Sequence, residues 1–126
     1  MTCACMKCGR DVGAAPRSLE GFTVEHTNDA ACGRACTSRD TSKRVIYVRS
    51  DYWSKWPVSA RQMAINHEAA HTLLDTDCET CADTLAGAMA KGQGLTRSST
   101  VEGMRTVVGD VRPSAPIAAL KGYENA

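Results

Sequence analysis

The sequence predicts an α+β domain in which short strands come first and helices follow. Three stretches carry this prediction. Residues 43–49 contain the apolar run Val45-Ile46-Tyr47-Val48, which is typical of a strand. Residues 59–74 and then 78–91 each place apolar side chains at the i, i+3, i+4 spacing of an amphipathic helix. With 126 residues, of which 43% are hydrophobic, the chain can bury one core, so we expect one domain.

The composition and net charge of the chain argue against several classes of function. The net charge of +1 gives no indication of nucleic acid or an anionic membrane as a partner. No apolar run approaches the roughly 18 residues of a membrane span, and the first residues lack the apolar core of a signal peptide. We therefore expect a cytoplasmic protein, although delivery by a carrier such as a phage particle would leave no mark in the sequence.

Residue types divide the chain into three parts. Residues 1–43 form a Cys-rich segment expected to bind metal, residues 44–110 the α+β core, and residues 111–126 an extended tail that contains two prolines. The seven cysteines are an odd number without an export signal, which favours metal binding over disulfides.

Two cysteine pairs in the first segment have metal-ligand spacing. Cys5 and Cys8 are followed by a glycine, as in a zinc knuckle, where the tight turn aims backbone amides at the thiolates. Cys32 and Cys36 form the second pair, and together the four would bind a structural Zn²⁺ or an iron–sulfur cluster. Cys3 competes with Cys5 for this role, and free thiols are the alternative.

Short strands and an aromatic loop precede the helices. Residues 21–26 are predicted to form a strand that ends at His26, which is either a spare metal ligand or a surface residue. After the strand at residues 43–49, residues 50–57 form a loop whose aromatic side chains either pack the sheet on the next helix or line a substrate groove.

The first long helix contains His67-Glu68-Ala69-Ala70-His71 at the centre of its apolar stripe. Residues i and i+4 of a helix share a face, so the two imidazoles can bind one Zn²⁺ together while Glu68 reaches a water on the metal. Pro57 precedes the helix and Ser59 is the expected N-cap. A pair of hydrogen-bonded core histidines is the alternative.

The second helix is expected over residues 78–91 and ends at Gly92. Glu79 and Asp83 flank its apolar face, about 40° apart. Cys78 and Cys81 have C-x-x-C spacing but no knuckle glycine, so core packing is favoured over a redox or metal role. A third short helix is expected over residues 99–108, where Ser99 and Glu102 form a capping box.

The two-part pattern resembles a known family. H-E-x-x-H at residues 67–71, followed by E-x-x-A-D at residues 79–83, is similar to the zinc metallopeptidases of the gluzincin type. The ImmA/IrrE-type peptidases and the prenyl-protein endopeptidases are the most similar in form. The resemblance covers residues 59–91 and does not include the Cys-rich segment. It implies a small zincin-like fold, in which a twisted sheet packs on the active-site helix and the last zinc ligand lies on the next, antiparallel helix.

The resemblance also implies the chemistry. Zinc would polarise a peptide carbonyl and a water, and Glu68 would act as the general base in hydrolysis of the peptide bond. Glu79 is expected to be the third zinc ligand beside His67 and His71. Asp83 is expected to accept the other ring N–H of a histidine, with the alternative that Asp83 binds the metal and Glu79 takes the supporting role. Asp75 is a poor alternative, because a rise of about 1.5 Å per residue places it about 12 Å along the helix from His67.

A peptide or protein is the substrate expected of such an enzyme, and residues 45–48 could pair with it as an edge strand. The alternative hypothesis is a non-catalytic module whose fold is stabilised by zinc. Such a module would be an interaction or structural part of a regulator or of a larger assembly such as a phage particle. Glu68 distinguishes the two hypotheses, because a structural site closed by four protein ligands does not need it.

Overall fold

A three-stranded sheet and five α-helices make up the fold, and the computed structural model describes residues 4–38, 40 and 42–126. The fold is α+β, as predicted. The elements are β1 (Thr23–Thr27), β2 (Ala35–Thr37), β3 (Val45–Arg49), α1 (Ser50–Trp53), α2 (Val58–Leu74), α3 (Glu79–Gly92), α4 (Arg97–Val108) and α5 (Ala115–Glu124). A single 3₁₀ turn, Ala30–Cys32, leads into β2.

The sheet has the strand order β1-β3-β2, with β1 parallel and β2 antiparallel to β3. The alternation in β3 explains its packing, because Ile46 and Val48 are fully buried while Val45, Tyr47 and Arg49 are half-buried. β3 is therefore the central strand. The expectation that residues 45–48 form an edge strand is wrong, and β2 occupies one edge instead.

α2 is the longest described helix, with 17 residues, and none of the described helices is long and apolar enough to cross a membrane. The expected N-cap Ser59 is wrong, because the helix begins at Val58 and Pro57 occupies the N-cap position. Asp75 ends it in the left-handed conformation, φ 48°, with its N–H bonded to the carbonyls of His71 and Thr72. This sharp stop turns the chain back so that α3 packs antiparallel on α2.

The last two helices differ from the sequence-based expectation. α4 begins at Arg97, because Thr96 accepts the N–H of Ser99 and is the true cap. The expected extended tail is wrong, since residues 115–124 form α5. Pro116 lies in the first turn of α5, where its missing N–H removes no hydrogen bond, so the proline starts the helix rather than preventing it.

Two apolar clusters hold these elements together. The first lies between the sheet, the N-terminal segment and α2–α3, and it includes Cys5, Val12, Ile46, Leu74 and Leu85. The second lies between α2, α4 and α5, around Met63 and Met104. α3 contributes to both clusters, and ten of its 14 residues are buried. Its position and rotation are therefore fixed from several sides.

α3 and α5 approach each other through glycines. A Cβ atom at Gly87 would lie 1.8 Å from the carbonyl oxygen of Ala119, and a Cβ atom at Gly122 would lie 1.8 Å from that of Thr84. Real Cβ atoms do not approach backbone so closely, so the two helices are packed backbone against backbone. This contact requires glycine at both positions.

We predict that Gly87→Ala lowers the free energy of unfolding by roughly 1–3 kcal/mol, because the new methyl group must push α3 and α5 apart. Gly92→Ala is the matched control. It lies in the same helix with open space around its Cβ position, and there the change should be neutral or stabilising by up to about 1 kcal/mol. Urea unfolding of both variants measures the difference, and equal stabilities would contradict this packing.

Candidate metal centre

The two histidines of α2 point their Nε2 atoms at a common centre. These atoms lie 3.2 Å apart and the rings are nearly perpendicular, at 88°. His67 is buried and His71 is half-buried, so the centre lies at the edge of the core. The i, i+4 spacing on a regular helix produces this convergence, as the sequence predicts.

Glu79 adds a carboxylate to the same centre. Its Oε1 lies 2.7 Å from His71 Nε2, and its Oε2 lies 3.4 Å from His67 Nε2. Ligands about 2.05 Å from a tetrahedral metal are about 3.3 Å apart, so the spacing of the two nitrogens and the Glu79 carboxylate fits one Zn²⁺. The three residues thus form a candidate metal site, with all ligand atoms within 4.8 Å of one another.

The other ring nitrogen of each histidine is held in place. His67 Nδ1 lies 2.8 Å from Asp83 Oδ1, and His71 Nδ1 lies 2.8 Å from the carbonyl oxygen of Thr76. The His67 Nδ1–Asp83 Oδ1 contact has an ion-pair distance but not the geometry of a hydrogen bond, and neither atom has another hydrogen-bond partner among the described residues. When a ring is neutral, these acceptors favour its proton on Nδ1 and leave a lone pair on Nε2, which is the tautomer that binds a metal.

Arg112 organises the two carboxylates of α3. Its Nη1 donates to Asp83 Oδ2 at 2.6 Å, and its Nη2 lies 3.4 Å from Glu79 Oε2. The guanidinium therefore orients both side chains from the connection between α4 and α5. Sequence reasoning missed this residue because nothing marks a lone arginine in a segment expected to be an extended tail.

The electrostatics of the centre favour a cation. Burial opposes a positive charge on His67, but Asp83 and Glu79 outweigh it and raise the pKa of the imidazole to about 10. His67 and His71 in turn hold the pKa of Glu79 well below its usual range. Asp83, Glu79 and the neighbouring Glu68 thus surround the two imidazoles with carboxylates, an arrangement that attracts either protons or a metal ion.

Glu68 stands beside the centre, with its Oε2 3.8 Å from His67 Nε2. Burial raises the pKa of this carboxyl, although His67 and His71 oppose the shift. A carboxylate with a raised pKa is a better proton acceptor near neutral pH. Glu68 therefore has the position and the basicity of a proton-transfer group next to the three ligand atoms.

An open cleft of about 730 Å³ leads to this centre from solvent. β2 forms one wall and the end of α2 with the following turn forms the other. The lining residues are Cys36, Thr37, Ser38, Glu68, His71, Thr72, Asp75, Thr76, Asp77 and Glu79. The centre is therefore accessible on the side of Glu68 and Glu79.

A second cluster contains four thiols, and it is not the cluster that the sequence predicted. Cys5 and Cys8 lie with Cys78 and Cys81, and their four Sγ atoms are within 4.8 Å of one another. The expected partners, Cys32 and Cys36, are joined to each other by a disulfide instead. The prediction of a Cys5–Cys8–Cys32–Cys36 site is therefore corrected. Cys81 lies in the apolar core and Cys78 packs against it, as favoured from the sequence, and both also belong to the thiol cluster. Cys3 lies outside the described residues.

The four thiols form a second candidate metal site that differs from the first in chemistry. Burial opposes ionisation of Cys5, yet the backbone N–H groups of Cys8 and Lys7 outweigh it and lower the pKa of the thiol to about 7. Burial and the neighbouring thiols raise the pKa of Cys81. The C-x-x-C spacing at residues 78–81 was the signal for this half of the cluster.

The remaining candidate ligands lie elsewhere. His26 Nδ1 is 3.3 Å from the Ser50 hydroxyl, and its ring packs edge-on against Trp53, so it takes no part in either cluster. Asp75 forms the turn after α2 and lines the cleft without joining the ligand group.

Comparison with protein-family models, curated proteins and solved structures found no match to the chain.

We predict that Asp83→Asn weakens zinc binding at the histidine centre by roughly 10–100-fold, because the amide no longer holds His67 as a negatively charged acceptor would. Asp77→Asn is the control, since it removes an exposed carboxylate that lines the same cleft. Competition with a chromogenic chelator measures both affinities. Equal affinities in the two variants would show that Asp83 does not support the site.

Proposed function

We propose that the protein is a zinc metallopeptidase of zincin-like architecture. One observation carries the proposal: two imidazole nitrogens and a carboxylate converge at the end of an open cleft, with the further carboxylate of Glu68 beside them. Three protein ligands and one accessible position are typical of a catalytic zinc site. The sequence resemblance to gluzincin-type peptidases points to the same chemistry.

Each residue has a defined task in this proposal. Zinc bound at the centre would act as a Lewis acid on a peptide carbonyl and make a water easier to deprotonate. Glu68 accepts the proton of that water and donates it to the departing amine. Asp83 and the Thr76 carbonyl keep the two imidazoles oriented, and Arg112 restrains the carboxylates of Glu79 and Asp83.

The open edge of β2 is the proposed binding strand for an extended peptide. The Arg34 carbonyl accepts a hydrogen bond from the Arg49 N–H, and the Ser38 N–H donates to the Val45 carbonyl. The even-numbered residues on this side of the sheet therefore turn their backbone groups toward β3. In an antiparallel ladder, the backbone groups of Ala35 and Thr37 then face the other way. No strand among the described residues pairs with that edge, and β2 lines the cleft. A peptide paired there would pass the centre.

The competing hypothesis is a non-catalytic module, and the cleft distinguishes the peptidase hypothesis from it. A purely structural zinc site closes all four positions with protein ligands. At this centre, the side chain of Glu79 is 49% exposed and the cleft reaches the histidines. The proposal therefore predicts turnover, whereas a module would bind zinc without cleaving any peptide.

We predict that Glu68→Gln reduces peptide cleavage by about 10²–10⁴-fold or more while zinc content and melting temperature stay close to those of the unchanged protein. The amide cannot accept the proton, yet it keeps the size of the side chain. Cleavage of a peptide library, followed by mass spectrometry, identifies a substrate for the measurement.

Glu25→Gln is the matched control for this experiment, because Glu25 is an exposed residue of β1 and should leave the rate unchanged. A second control, His67→Ala with His71→Ala, should remove one zinc per chain together with all cleavage. Full activity in the Glu68→Gln protein would refute the role of Glu68, and zinc binding with no cleavage of any library peptide would favour the module.

We further predict that Thr37→Pro raises KM for the identified peptide without loss of zinc. Proline removes an N–H that faces the open edge of β2, so a paired substrate loses a backbone hydrogen bond. Val24→Pro is the control, since Val24 is an exposed residue of β1 on the opposite edge of the sheet. An equal effect of both prolines on KM would argue against pairing at β2.

A further inference from the structure

The four-thiol cluster joins two parts of the chain that are distant in sequence. Cys5 and Cys8 belong to the N-terminal segment, while Cys78 is the N-cap of α3 and Cys81 lies in its first turn. Cys5 and Cys81 are buried, and Cys8 is exposed. The cluster therefore lies at the protein surface with one side enclosed by the core.

The distances between the sulfur atoms fit shared coordination. Cys5 Sγ lies 3.9 Å from Cys78 Sγ, and Cys8 Sγ lies 3.2 Å from Cys81 Sγ. Four thiolates about 2.3 Å from a tetrahedral zinc are about 3.8 Å apart, whereas disulfide sulfurs are about 2.05 Å apart. The described residues include no carboxylate or imidazole in this cluster, so the donor set is sulfur alone.

The backbone around Cys5 and Cys8 has the form of a metal-binding knuckle. Gly9 adopts a positive φ of 75°, and its N–H donates to the Cys5 carbonyl at 2.9 Å. The Cys5 N–H donates to the Arg10 carbonyl at 2.7 Å, which closes the loop. Glycine tolerates the positive φ that this turn needs, so the turn can hold Cys5 and Cys8 at the C-x-x-C spacing of metal ligands.

We propose that Cys5, Cys8, Cys78 and Cys81 bind one structural Zn²⁺, separate from the metal at the histidine centre. All four ligand positions are filled by thiolates, so this ion has no open position for a substrate. Its role is to fasten the N-terminal segment to the first turn of α3. Because Glu79 lies in that turn, between Cys78 and Cys81, the ion also restrains the residue that completes the histidine centre.

Metal stoichiometry and a cobalt spectrum test the site on the full chain. Protein purified under reducing conditions should contain two zinc ions per chain. Cys8→Ser with Cys81→Ser should contain one, while the control Cys32→Ser with Cys36→Ser should still contain two, because that pair does not belong to the four-thiol cluster. Replacement of zinc by Co²⁺ should produce intense sulfur-to-cobalt charge-transfer absorption in the near ultraviolet.

The spectrum also keeps this proposal separate from the peptidase. His67→Ala with His71→Ala should lose one metal per chain and retain the charge-transfer band. If that variant kept both metals, the histidine centre would be wrong and the thiolate site would stand. If the unchanged protein bound cobalt without the band, the thiolate site would be wrong whatever the peptidase assay showed.

Differential alkylation covers the case in which the cysteine variants do not fold. In the unchanged zinc-loaded protein, mass spectrometry of the labelled peptides should show these four thiols protected until a chelator is added. Rapid labelling of the four in the zinc-loaded protein would overturn the proposal, and so would disulfides among them. Protection of Cys3 in place of Cys5 would overturn the ligand set, and bound iron with visible absorption would overturn the choice of zinc.

Discussion

The antiparallel docking of α3 on α2 determines where every candidate ligand lies. Asp75 stops α2 abruptly, so the chain reverses within a few residues and brings Glu79 level with the two histidines. One turn farther along α3, Asp83 meets His67. At the far end, the side-chain amides of Asn66 and Gln93 bond reciprocally, at 2.8 and 2.9 Å. Polar pairs near both ends of α3 thus fix its register against α2.

Local patterns in the sequence were sufficient for much of this arrangement. The i, i+4 spacing of His67 and His71 requires only a regular helix to converge, and the helix needs only its apolar stripe. Likewise, Glu79 and Asp83 share a face of α3 by helical geometry alone. The general α+β order and the central helices could therefore be predicted, and the position of Glu79 beside both imidazoles agrees with its expected place. Metal binding and catalysis remain predictions.

Features that depend on long-range contacts could not be predicted in the same way. The partners of Cys5 and Cys8 lie 73 residues away. Cys78 and Cys81 have C-x-x-C spacing and Cys32 and Cys36 have C-x-x-x-C spacing, but spacing within a pair does not show which pair folds against Cys5 and Cys8. Arg112 reaches its carboxylates from the connection that precedes α5, a helix that packs closely on α3 at Gly87. The two prolines suggested an extended tail, because a proline in the first turn of a helix resembles a proline in a loop until its neighbours are known.

Charge balance at the histidine centre has a further consequence. Among the described residues, the carboxylates of Glu68, Glu79 and Asp83 face one guanidinium, that of Arg112, which leaves two negative charges to be neutralised. Two imidazolium protons or one divalent ion supply that charge equally well. Uptake of metal would therefore release up to two protons, so that affinity rises by up to about a hundredfold for each unit of pH while both imidazoles are protonated. In an acidic compartment the same residues would exchange the ion for protons and form a closed hydrogen-bonded network.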